Sequence, residues 1–98
     1  MQELKISDML KTQYQLWEAH KDKWSPMEPK YARNSLLWMI EEIGEVIAII
    51  KKKGESKIIE DDNVKEMFRE ELVDVLMYYL DVLNRYGITR RRDYRSLC

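Results

Sequence analysis

Within the fifteen residues Leu36–Ile50, LLWMIEEIGEVIAII, the only charged side chains are three carboxylates, Glu41, Glu42 and Glu45. A solvated face carries polar groups along its whole length, so acids confined to the middle of an apolar run demand a different explanation. The run reads as the centre of a long helix. Pro29 sits near its start, Lys51, Lys52 and Lys53 meet the negative end of its dipole, and Gly54 supplies the stop, which gives a helix over 29–53. At ~100° per residue, Glu42 and Glu45 project about 60° apart, on a stripe whose other members, Trp38 and Ile49, are apolar. Glu41 points further round.

A second acidic pair repeats the arrangement downstream. Asn63 and Glu66 have capping-box-like spacing and open a helix over 63–86 that stops at Gly87. In its segment EELVDVLMYYLDVL, Glu71 and Asp74 repeat the three-residue offset, and Met67 and Tyr78 extend their stripe. Leaving four carboxylates in an apolar helix pair costs several kcal/mol per buried anion unless each is compensated. Basic residues in these helices sit mainly at the ends, and protonating all four acids would leave a poorly satisfied polar core. A divalent cation answers the whole cluster. The donors are all oxygen, with no Cys on the helices and the single His20 far from either pair, which favours Mg²⁺ or Mn²⁺ over zinc or copper. A di-iron bundle would want Glu-x-x-His pairs, and there are none. Mg²⁺ held by carboxylates commonly shares its shell with substrate phosphates, which points to cleavage of a phosphate ester or anhydride, with Glu41 or Glu42 orienting the attacking water.

The remaining sequence fits an all-α chain. Ninety-eight residues have room for one domain, 1–98, and three Gly and two Pro are too few for a many-stranded sheet. A first, amphipathic helix is expected over 7–21 with Ser7 as N-cap, followed by a connecting loop from Asp22 to Pro29 containing Trp24. A polar loop is expected over 55–62, and a basic tail over 88–98. The second and third helices are too apolar for three helices to cover, so a homodimer or homotetramer is expected to complete a bundle of four or more. No long uncharged stretch and no signal-like N-terminus is present, so neither a membrane span nor secretion is expected, and the cytoplasm is the expected compartment. Cys98 alone excludes an internal disulfide and reads as a frayed, exposed thiol. The net charge of −1 is uneven: Arg90, Arg91, Arg92 and Arg95 leave the rest of the chain acidic, unlike a nucleic-acid-binding surface.

The pattern Glu41-Glu42-x-x-Glu45 followed by Glu71-x-x-Asp74, in the contexts LLWMIEEIGEVI and EELVDVLMYYLDVLNRYGI, resembles the all-α MazG-type nucleoside triphosphate pyrophosphohydrolases over roughly 33–88. The resemblance implies Mg²⁺-dependent hydrolysis of a (d)NTP between the α- and β-phosphates, with Glu42, Glu45, Glu71 and Asp74 as metal ligands in a dimer or tetramer. Such proteins often continue into a segment whose Lys, Asn and Arg residues grip the triphosphate. Here the sequence ITRRRDYRSLC offers Arg91 and its neighbours for that role, or else forms a disordered, truncated tail. Tyr78 and Trp24 are candidates for stacking on a nucleobase, Asn84 and Asp81 for ribose or a metal-bound water, and Lys21 with Lys23 for phosphate. Trp38 is assigned to the core, Gly44 to close helix packing, and His20 to an exposed position without a role. The alternative function is a non-catalytic helical module that binds a nucleotide or a protein.

Overall fold

The computed structural model describes residues 3–97, so the thiol of Cys98 lies outside the described residues. Four α-helices follow one another: α1 (Ile6–His20), α2 (Ala32–Lys53), α3 (Glu55–Glu60) and α4 (Asp62–Arg85). Pro29–Tyr31 forms a 3-10 turn ahead of α2, and Arg91–Leu97 forms further 3-10 turns after α4. No strand occurs among the described residues.

Several local expectations change. The polar connection expected at 55–62 contains the short helix α3, with Ile58 buried beneath it. Pro29 opens a separate 3-10 turn, and its tight geometry ends before α2 begins. The N-cap of α4 is Asp61, not Asn63: its Oδ1 accepts from Asn63 N at 2.9 Å and from Val64 N at 3.3 Å. Glu66, freed from a capping role, pairs with Arg69 on the surface. α1 starts at Ile6, and its N-cap, Lys5, contributes no side-chain bond, so Ser7 is inside the helix. The basic end, expected either to grip phosphate or to form a disordered tail, is folded into turns, with Asp93 Oδ2 accepting from Arg90 N at 3.0 Å.

The helix stops follow the sequence closely. Gly54 has φ of 81° and donates its N–H to Ile50 O, and Gly87 has φ of 67°, with Ile88 N bonding back to Leu83 O. Both positions need the left-handed region that glycine enters without steric penalty.

α2 and α4 make the most extensive helix pair. Ser35 meets Asp81, Trp38 meets Tyr78 and Glu45 meets Glu71, so residue numbers fall on one helix as they rise on the other and the pair is antiparallel. α1 lies against the C-terminal half of α4, where Leu10, Leu80 and Leu83 form the buried cluster and Met9, Met77 and Tyr94 close it. That core is small. Leu36, Ile40, Ile43 and Ile47 of α2 and Leu72, Leu76 and Tyr79 of α4 are all exposed. At ~100° per residue, each set forms one stripe on the side of its helix roughly opposite the acidic residues.

Polar groups at the α1, α2 and α4 junction are buried instead. Asp81 Oδ1 accepts from Gln13 Nε2 at 2.9 Å, and Asp81 Oδ2 accepts from Ser35 Oγ at 2.5 Å and Arg85 Nε at 2.7 Å. Each of the four residues is under one-tenth exposed. Since a buried anion is tolerated only when paired and hydrogen-bonded, this junction fixes the relative placement of three helices.

Candidate metal centre and adjoining cleft

Antiparallel pairing brings the acids of α2 and α4 to one place. Glu42, Glu45 and Glu71 each offer a carboxylate oxygen, and these atoms lie within 4.8 Å of one another. Glu42 and Glu71 are half-buried and Glu45 is exposed. The Oε2 atoms of Glu42 and Glu71 are buried and find no donor among the protein's own groups. Carboxylates in this state repel one another and favour the neutral form. The Glu71 carboxyl is accordingly raised above its ordinary value, first by the close approach of the Glu42 carboxyl and then by desolvation and the charges of Glu42 and Asp74, against a lowering contribution from Glu45. Glu45 is raised mainly by the close approach of the Glu71 carboxyl and by the charge of that residue.

Orphaned, mutually repelling oxygens fit a hard divalent cation. The donor set is oxygen only, the atoms converge, and a cation would satisfy the two buried Oε2 atoms that nothing else reaches. Asp74 is exposed and outside the trio, yet its charge raises Glu45, Glu71 and Tyr78. Glu41 is exposed and stands apart from the cluster, contributing charge toward Tyr78.

Beside the acids opens a cleft of about 510 Å³, lined by Trp24 and Ser25 of the connecting loop, Trp38 and Asn34 of α2, and Asp74 and Tyr78 of α4. This volume is within the range that takes a small organic ligand. Tyr78 and Trp38 meet with ring centroids 5.9 Å apart at 49°. Burial, followed by the charges of Glu42 and Asp74, pushes the Tyr78 hydroxyl up, so it stays protonated and can donate. Trp24 stacks on His20 at 4.5 Å and 13°, which makes His20 a half-buried support for the loop and not the exposed bystander expected.

Of the expected substrate-binding residues, the structure brings Trp24 and Tyr78 to this cleft. Asn84, Lys21 and Arg91 are elsewhere. Asn84 spends its amide on Leu10 O at 2.9 Å and Gln13 Oε1 at 2.6 Å, Lys21 caps the end of α1, and Arg91 lines a separate cavity with Arg92 and Arg95. Lys23, adjacent to Trp24, does line the cleft.

Three further positions differ from the sequence expectation. Trp38, assigned to the core, is 47% exposed and forms a wall of the cleft, a placement foreshadowed by its position on the Glu42 stripe. Asp81 is a buried anion at the edge of the cleft, held by Gln13, Ser35 and Arg85, and not a surface group. Gly44 does not mark a close approach within the chain: a Cβ there would meet nothing within 4 Å.

No helix among the described residues is long and apolar enough to cross a membrane. No curated protein and no solved structure matches the chain. Residues 32–92, which contain α2, α3, α4 and with them all the acidic residues of the centre, match the family model of the MazG nucleotide pyrophosphohydrolase domain, and the chain belongs to that family.

Proposed function

We propose that this protein is a Mg²⁺-dependent nucleoside triphosphate pyrophosphohydrolase that converts (d)NTP to (d)NMP and pyrophosphate, in the service of nucleotide-pool housecleaning. The observation that carries the reading is the juxtaposition of three convergent carboxylates, two with unpartnered buried oxygens, and an aromatic cleft reached through Asp74 and Tyr78. Glu42, Glu45 and Glu71, joined by Asp74 from the cleft side, would hold Mg²⁺, or Mn²⁺ in its place, and the ion supplies charge neutralisation and polarisation at phosphoryl oxygens.

The chain's own residues do the rest. Trp24, Trp38 and Tyr78 offer flat apolar faces to a base, which orients the nucleotide with its phosphates toward the acids. Lys23 at the cleft lining matches phosphate charge. Glu41 or Glu42, whichever is left free to accept, orients the water for attack. The substrate is a free nucleotide and not a nucleic acid, given the acidic character of the chain outside its arginine-rich end.

The exposed stripes Leu36, Ile40, Ile43, Ile47 and Leu72, Leu76, Tyr79 support a homodimer or homotetramer. Because they lie roughly opposite the acids, pairing through them leaves the centre and the cleft accessible. We place the assembly in the cytoplasm, with no membrane partner.

Incubation with each (d)NTP and Mg²⁺, followed by chromatography of the products, tests the reading. Monophosphate and pyrophosphate are the expected products. Orthophosphate release, or no turnover of any nucleotide, contradicts it.

A further inference from the structure

The segment between α1 and the 3-10 turn, residues 21–28, has little regular structure, yet it supplies Trp24 and Ser25 to the cleft. Two side chains from different helices grip it at successive carbonyls. Trp17 Nε1 of α1 donates to Ser25 O at 2.9 Å, and Arg85 Nη1 of α4 donates to Pro26 O. Arg85 is itself oriented by Asp81 through Nε, and Asp81 is in turn held by Ser35 of α2 and Gln13 of α1. One guanidinium therefore connects the buried junction of three helices to the backbone of the cleft loop.

We infer that Arg85 is a positioning residue: by bridging Asp81 and the Pro26 carbonyl, it fixes the Trp24 loop at the cleft and thereby sets nucleotide affinity without taking part in the chemistry. This rests on the reading of the cleft as a nucleotide site. The fork matters because Nε and Nη1 point to two acceptors at once, and a lysine ammonium placed there can satisfy one of them but not hold both in register. A loop released from its tether spends only part of its time in the binding geometry, and apparent affinity falls by that fraction.

The test uses the full chain with Arg85→Lys, which retains the charge opposite Asp81, and Trp17→Phe, which removes the other carbonyl grip and keeps an aromatic ring. Hydrogen exchange is read at the Lys23, Trp24 and Glu28 amides, which bond to His20 O, His20 O and Pro26 O. Steady-state hydrolysis is measured in parallel. Arg85→Lys is expected to speed exchange in the loop, to raise KM about tenfold and to leave kcat within about twofold of the parent. Trp17→Phe should shift both readouts in the same direction. Loop exchange unchanged in both variants overturns the tether, as does a fall in kcat at constant KM. A parent protein that neither binds nor hydrolyses any nucleotide overturns the reading of the cleft and the affinity claim with it, an outcome visible before any variant is made.

Discussion

Glu42 of α2 and Glu71 of α4 each bury an Oε2 atom that no group of the protein reaches, and both carboxylates lie with Glu45 inside a 4.8 Å cluster. Two anions facing each other without a donor destabilise the fold when both are ionised. The arrangement makes sense as a site prepared for positive charge, and it has consequences for pH, metal and mutation.

The first consequence concerns acidity. Glu45 and Glu71 are both raised above the ordinary glutamate value of 4.5 by their carboxyl neighbours. A carboxyl whose folded-state pKa is raised contributes stability below the unfolded value and loses it as pH rises through the folded value. The metal-free protein should therefore lose the contribution of this cluster as pH climbs from about 4.5 through the raised values. Adding Mg²⁺ should restore it near neutrality, because the ion replaces the protons. Thermal melts across pH, with EDTA or with Mg²⁺, check this against Glu71→Gln, in which the dependence should be weaker.

Neutralising the cluster should separate stability from function. Glu42→Gln with Glu71→Gln removes the repulsion, so the metal-free melting temperature is expected to stay level or rise. The same variant should lose the stabilisation by Mg²⁺ and at least about a hundredfold of nucleotide hydrolysis. Calorimetric melts and product chromatography on one preparation provide both readouts.

Asp81 should behave in the opposite way. Its side chain and that of Arg85 are 9% and 6% exposed, and removing one partner of such a pair leaves an uncompensated buried charge. Asp81→Ala is expected to destabilise the fold by about 3–5 kcal/mol, measured by urea unfolding.

Tyr78 tests the cleft. Loss of an aromatic ring that stacks on a base typically costs about 1–3 kcal/mol, so Tyr78→Ala should raise the nucleotide Kd from several-fold to about a hundredfold. Tyr78→Phe retains the stacking face and should bind much as the parent does. Equilibrium binding with a nucleotide analogue that resists hydrolysis measures both.

The stripe on the back of α2 predicts self-association. Light scattering should give a multiple of the 11.9 kDa chain mass, and Ile40→Glu with Ile47→Glu, both at exposed positions, should shift it to a smaller species.

How much of this was legible in the sequence depends on which force acts at each residue. The long helices and their acidic stripes are visible because period, glycine stops and uncompensated charge are local properties of the chain. Even the meeting of Glu42, Glu45 and Glu71 follows from two apolar helices placed one after the other. The buried junction is not legible in this way. Asp81 and Gln13 look like surface residues until α1 is laid on α4, and Asn84 resembles a ligand contact until Leu10 O is found against its amide. Helix α3 was missed because ESKIIE is polar and short, and burial of the single side chain Ile58 is what anchors it. Trp38 reads as a core residue by its hydrophobicity, but the cleft it lines opens only once the Trp24 loop is in place.

The most direct test is Mn²⁺ binding followed by electron paramagnetic resonance, comparing the parent with Glu42→Gln/Glu71→Gln. Two helices that share one cation centre predict a saturable site in the parent that is abolished in the double variant. Equal Mn²⁺ binding by both proteins, or none by the parent, would contradict the account.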